Sequence, residues 1–258
     1  MARWVRYTTS DGKSRFGTLD GERIAEYEGD MYARPQASGR TRALQEVNLA
    51  SPCEPTKVIA LWNNYRALGE KLGKPAPAHP LFLLKPATSV IGTGEAIRRP
   101  ARYAGKIAFE GELGIVIGAQ CTNVSVNDAN KFIFGYTCVN DVTAAELIAE
   151  DPNFPQWARA KGFDTFSCIG PAIQTDLDWT SARLTTTIDG TERQNYPLSD
   201  MIFSPQEQVS RLSGDMTLYP GDVIMVGTSI GLGSMKDGST AVVAIDGIGE
   251  LRNTLTGS

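Results

Sequence analysis

Residues 109–118 read Phe109-Glu110-Gly111-Glu112-Leu113-Gly114-Ile115-Val116-Ile117-Gly118. The second half is almost purely apolar and bounded by glycines, the pattern of a buried β-strand. The first half carries two glutamates two residues apart. On a strand, positions i and i+2 share a face, so both carboxylates are expected to lean into one place. Like charges at the mouth of a buried strand repel and lose hydration. They need a cation, or one of them must hold a proton. A second apolar run, Phe134-Gly135-Tyr136-Thr137-Cys138-Val139-Asn140-Asp141, also reads as a strand and ends in a carboxylate. Glu110, Glu112 and Asp141, with no Cys or His beside them, make an all-oxygen set. Mg²⁺ is its expected occupant, with Mn²⁺ or Ca²⁺ as alternatives.

Working outward, FEGELGIVIG followed by FGYTCVNDVTA resembles the signature of the fumarylacetoacetate hydrolase superfamily. LWNNY at 61–65, LLKP at 83–86, AKGFDTFSCIGP at 160–171 and PGDVIMVGTSIG at 220–231 extend the likeness over about residues 55–250. It includes the branch of 2-hydroxyhepta-2,4-diene-1,7-dioate isomerases and 5-oxopent-3-ene-1,2,5-tricarboxylate decarboxylases. The resemblance implies an α+β fold, a mixed β-sandwich or roll with peripheral helices, paired as a homodimer. It implies metal ligation by Glu110, Glu112 and Asp141. It also implies an active-site lysine at Lys161 and substrate contacts from Tyr65, Gln156 and Thr228, with Gln156, Trp157 and Lys161 in a loop over the metal. Lys85 is a charge on an apolar strand, either snorkelling to water or pointing to the pocket.

The turn after LWNNY departs from the family pattern N-Y-x-x-H-x-x-E, whose His/Glu dyad activates water. Leu68 stands at the histidine position and Lys71 at the glutamate position. Glu70, the candidate base, comes one residue early, which turns it by about 100° around a helix. Ala145 stands where the family usually has arginine. A 2-oxo acid, or its enol, is therefore the expected substrate, decarboxylated or isomerised through a metal-stabilised enolate. Hydrolysis of an acylpyruvate-type C–C bond is the alternative, and a metal-binding member without turnover the third.

The remaining sequence bounds the molecule. Its 258 residues are 41% hydrophobic, enough for a substantial core. A net charge of −4 gives no nucleic-acid signature. No apolar run is long enough for a membrane span, and the first residues do not read as a secretory signal. The four scattered cysteines fit neither a zinc pattern nor a disulfide scaffold, so a cytoplasmic location is expected. Residues 1–54 read as a small β-rich unit with turns at Asp11-Gly12 and Asp20-Gly21, and residues 55–258 as the catalytic domain. Helices are expected over 66–72, 127–132, 143–146 and 205–212, and strands over 184–189, 193–197, 223–226 and 241–245, the last followed by a polar tail. The lone His79 is left outside the site. Arg98, Arg99, Arg102 and Lys106 form a basic loop, either solvated or attracting an anion.

Overall fold

The computed structural model describes residues 2–257. The N-terminal strands are β1 (Arg3–Thr8), β2 (Ser14–Asp20), β3 (Arg23–Glu28), β4 (Gln36–Ala43) and β5 (Asn48–Ala50). Then come β6 (Val58–Trp62), helix α1 (Arg66–Leu72), β7 (Leu81–Lys85), β8 (Val90–Ile91), β9 (Ile97–Arg98) and β10 (Ile107–Phe109). The centre holds β11 (Gly111–Ile117), β12 (Ile133–Asp141), β13 (Thr143–Ala144), helix α2 (Trp157–Lys161) and β14 (Ser167–Gln174). The last part contains β15 (Arg183–Ile188), β16 (Thr191–Pro197), helix α3 (Pro205–Asp215), β17 (Val223–Met225), β18 (Gly233–Met235), β19 (Thr240–Ile245) and β20 (Gly249–Thr256). The class is α+β, dominated by strands in several sheets.

Among the described residues the largest sheet runs β4-β3-β2-β1-β14-β12-β11-β17-β6-β7, with β5 on β1 and β8 on β14. A second sheet, β16-β15-β19-β20-β9, and a short one, β13-β10-β18, accompany it. The pleat explains the sandwich. Leu113, Ile115 and Ile117 of β11 meet Leu184, Val243, Leu251 and Leu255 of the second sheet in one core. Val116 points the other way and joins Val58, Val139, Ile173 and Val223 in another. All seven residues of β11 are buried, as the unbroken apolar run requires.

The N-terminal strands are joined to the rest by backbone pairing, since β1 runs antiparallel to β14. Their own anchor is Glu26, 2% exposed on β3. It accepts hydrogen bonds from Arg40 Nε (2.6 Å), Arg42 Nε (3.1 Å) and Tyr7 Oη (3.0 Å). Burial pushes the Glu26 carboxyl up, but these donors outweigh it and hold the group below the ordinary range. A depressed carboxyl stabilises the fold above its unfolded value and loses that contribution as pH falls through the folded one. Glu26→Gln should therefore lower the melting temperature by several degrees at neutral pH, the scale of about 2 kcal/mol for charged hydrogen bonds. The difference from wild type should close on acidification below about pH 4. An unchanged gap at low pH, measured by thermal melts across pH, would rule out the charge as its cause.

Several expected elements take other forms. Residues 127–132 form a 3₁₀ turn over Ala129–Phe132, entered through the Ser125 hydroxyl, which accepts from Asp128 N. Residues 143–144 are a strand, because Thr143 pairs with Ala108 and Ala144 with Ile107 of β10; a 3₁₀ turn, Ala145–Ala149, follows. The segment after Gln156 is helix α2 rather than a loop. Helix α3 runs three residues beyond the expected end, capped by Ser204 and Glu207 in a reciprocal capping box. The polar tail is strand β20, whose Leu251, Asn253 and Leu255 alternate inward. Helix α1 ends as expected at Gly73, in the left-handed region.

Candidate metal centre

The sheet brings the three carboxylates together at one end of β11 and β12. Glu110 lies in the break between β10 and β11 rather than inside a strand, and Asp141 N donates to its carbonyl at 2.9 Å. Asn140 Oδ1 accepts from Glu110 N at 3.0 Å, which fixes the break. Gly111 follows, where a Cβ would collide with the Thr186 hydroxyl, so the chain passes close to the second sheet. One carboxylate oxygen from each of Glu110, Glu112 and Asp141 lies within 4.8 Å of the others.

Two lysines frame the carboxylates. Lys161, at the end of α2, donates to Glu110 Oε2 (2.8 Å), Asp141 Oδ2 (2.6 Å) and Thr143 Oγ1 (2.8 Å). Lys85, on β7, donates to Asp141 Oδ1 and to the Phe166 carbonyl (2.8 Å). Burial pushes Asp141 up, but the two ammonium groups outweigh it and hold it below the usual carboxylate range. Glu112 has no such partner. Burial, then Asp141 and Glu110, push it well above its ordinary value, against the pull of Lys161. Burial and Asp141 also raise Glu110, opposed by Lys161. Lys161 is lowered by burial but raised on balance by the three carboxylates, so it carries its proton firmly.

The donor set fits a hard divalent ion. Glu112 Oε2 accepts from Gly227 N at 2.8 Å. Its other oxygen, Oε1, is buried without a hydrogen-bond partner among the described residues. A buried carboxylate oxygen left unpaired is costly, and a cation held also by Glu110 and Asp141 would satisfy it. Gly227 takes φ of +93°, a conformation that favours glycine and aims its N–H at the glutamate.

Beside the cluster lies a cavity of about 330 Å³, lined by Glu110, Thr143, Thr228, Trp62, Trp157 and residues of α1 among others. The two tryptophan rings are 5.5 Å apart. Thr228 donates to the Gly111 carbonyl (2.9 Å) and accepts from Gln194 Nε2 (2.8 Å). A larger groove of about 990 Å³, lined by Arg3, Asp20, Gln174 and Asp178 among others, shares no residue with this cavity.

Of the residues expected at the site, Glu110, Glu112, Asp141 and Lys161 meet, and Thr228 lines the cavity beside them. Glu70 is exposed and is not part of the cavity wall; the one-residue offset on α1 turns it outward. Lys85 neither snorkels nor faces the cavity: it is 1% exposed and spends its donors on Asp141 and Phe166. Tyr65 is buried behind the wall, edge-on to Tyr196 at 5.0 Å. Gln156 caps α2 and donates to the Phe154 carbonyl, outside the cavity. In the basic loop, Arg99 pairs with Asp237. Thr143, which accepts from Lys161 and lines the cavity, is a further residue of the site. No local pattern marks it, because Asp141 closes β12 and Thr143 opens β13 in a different sheet.

A carboxylate cluster at the end of two central strands, beside a small and mostly apolar cavity, defines a small-molecule site in a β-rich α+β architecture. The chain belongs to the fumarylacetoacetate hydrolase family: the family described as fumarylacetoacetate (FAA) hydrolase C-terminal matches residues 57–256. The family described as Rv2993c-like, N-terminal, matches residues 2–52. The chain is similar to protein Rv2993c of Mycobacterium tuberculosis, 39% identical over 96% of both chains. It is similar to the oxaloacetate tautomerase YisK of Bacillus subtilis, 34% identical over 83% of this chain and 74% of the other. Among solved structures it matches a 2-hydroxyhepta-2,4-diene-1,7-dioate isomerase from Mycobacterium marinum, with 37% identity, a TM-score of 0.91, and 100% and 99% of the two chains covered. No helix among the described residues is long and apolar enough to cross a membrane.

Proposed function

We propose that this protein enolises a 2-oxo acid, moving a proton between C3 and the carbonyl oxygen as a tautomerase or isomerase, with decarboxylation as the related outcome. The observation that carries this reading is the buried carboxylate triad whose Glu112 Oε1 lacks a partner. Glu110, Glu112 and Asp141 would hold a divalent ion, Mg²⁺ or Mn²⁺, which supplies Lewis-acid polarisation of a 2-oxo carbonyl. The names of the tautomerase and isomerase relatives agree with this chemistry.

The chain's own groups divide the work. Lys161 carries a firmly protonated ammonium behind Glu110 and Thr143; its three hydrogens go to Glu110, Asp141 and Thr143, so it would serve a substrate oxygen on which charge develops only by releasing one of them. Thr143 accepts one of its hydrogens and so fixes its direction. Lys85 holds Asp141 from behind. Helix α1 turns Leu68, Lys71 and Leu72 to the cavity and keeps Glu70 out. Leucine has no basic atom and a lysine ammonium has no free lone pair, so α1 offers no acceptor for a water proton. So α1 supplies no base for hydrolysis, whereas enolisation can pass its C3 proton to solvent.

The test is exchange of C3 protons of a 2-oxo acid with deuterated water, followed by NMR in the presence of Mg²⁺. Wild type should accelerate exchange, and chelator should abolish the acceleration. Lys161→Met should lower kcat/KM by about 10²-fold or more, the scale of a lost transition-state donor. Exchange at the uncatalysed rate with loaded wild type, or full turnover by Lys161→Met, would overturn the reading.

A further inference from the structure

The cavity wall contains two ionisable residues, Glu110 and Lys71. Glu110 belongs to the carboxylate cluster. Lys71 comes from the other side of the chain's fold, on α1, and is exposed at the cavity mouth. Leu68, Lys71 and Leu72 are three and four residues apart, so they share the helix face that closes this space. Leu68 is buried and Leu72 is 49% exposed, which orders the face from depth to rim. Among the described residues, every other ammonium that lines or frames the cluster has a carboxylate partner: Lys85 has Asp141, and Lys161 has Glu110 and Asp141. Lys71 has neither an ion pair nor a side-chain hydrogen bond there. The rest of the wall between the cluster and Lys71 is apolar or neutral: Trp62, Trp157, Ile148, Leu232, Ala145 and Thr228 among them.

The geometry points to Lys71 as the residue that reads the far end of the substrate, selecting 2-oxo diacids over 2-oxo mono-acids. This rests on the enolising reading above, which places the 2-oxo acid head at the carboxylate cluster. A ligand seated there extends along an apolar wall and reaches a single unpaired cation. An anionic tail gains a charge-assisted partner at that point, whereas an alkyl tail leaves the ammonium to water. The cavity lies at the small end of the 300–1,000 Å³ range typical of ligand sites, which suits a small diacid.

The test uses two unreactive oxamates of equal length, N-oxalylglycine and N-ethyloxamate. Both carry the 2-oxo acid head, and only the first ends in a carboxylate. Binding to the full chain with Mg²⁺ is measured by calorimetry. Wild type should prefer N-oxalylglycine about ten-fold or more, the scale of one partly exposed charged contact. Lys71→Met should erase the preference, Lys71→Glu should reverse it, and Lys71→Arg should retain most of it. In turnover, the ratio of kcat/KM for oxaloacetate over 2-oxobutyrate should fall in parallel, mainly through KM. Equal binding of the two oxamates by wild type, or a preference that survives Lys71→Glu, would overturn the role of Lys71. Binding of neither oxamate by loaded wild type would instead remove the head-group site, and with it the enolising reading.

Discussion

Replacing Glu112 by glutamine should abolish both turnover and the response of the protein to divalent ions, while leaving the fold intact. In wild type, Mg²⁺ or Mn²⁺ at one hundred times its dissociation constant should stabilise the native state by about 2.7 kcal/mol. For a chain of this size that raises the melting temperature by roughly 5–11 °C. Glu112→Gln should show none of that rise, and kcat should fall by about 10³-fold, the several kcal/mol that a Lewis acid contributes. Without added ion the variant should melt no lower than wild type, because it replaces a buried carboxyl that burial and two like neighbours disfavour in its charged form. The raised Glu112 also sets the sign of the pH dependence. Ion and proton compete for the same carboxylate, so affinity for the divalent ion should weaken as pH falls and strengthen as pH rises. A melting-temperature rise that persists in Glu112→Gln would show that the ion binds elsewhere.

Lys85→Met should destabilise the fold measurably. The side chain is fully buried, its partner Asp141 is fully buried, and the strand that carries it lies at the edge of the main sheet. Removing Lys85 leaves the buried Asp141 with Lys161 as its one remaining ammonium, so the cost lies at or below the low end of the about 3–5 kcal/mol for a broken buried pair. The melting temperature should therefore drop by up to about 10 °C, and saturating Mg²⁺ should recover part of the loss, since the ion compensates the same carboxylate. Methionine fills a similar volume, so the drop reports the charge rather than a cavity. A variant that melts with wild type would mean that Lys161 alone suffices to hold Asp141.

The carboxylate triad was legible because its signals are local. An apolar run shows where β11 and β12 lie, and the carboxylates stand at their ends. Lys85 was ambiguous for a physical reason. On the edge strand β7 the apolar residues Leu81, Phe82 and Leu84 are exposed and the lysine is buried, the reverse of the usual pattern. What inverts it is Asp141, 56 residues away in sequence. Strand β20 escaped for a related reason. Its central inward position is Asn253, a polar residue whose amide donates to the carbonyls of Gly92 and Glu95. A polar residue in the core reads as a tail until its partners are known. Glu70 is the opposite case. Its register alone turns it away from the cavity, and the structure keeps it on the solvent side of α1.

The hydrogen bond from Gly227 to Glu112 joins positions 115 residues apart, and β17, just before that glycine, is the strand through which β6 and β7 join the main sheet. During translation the three acidic side chains therefore leave the ribosome long before the strand that completes their surroundings. Pairings of such long range form late and slowly. A nascent chain halted before residue 223 would carry all three acids and both lysines, yet lack the backbone donor that orients Glu112 and the strand that draws Lys85 into the sheet. The surroundings that would shape any affinity for an ion are thus complete only in the finished fold. Ion uptake would mark the end of folding rather than guide its beginning.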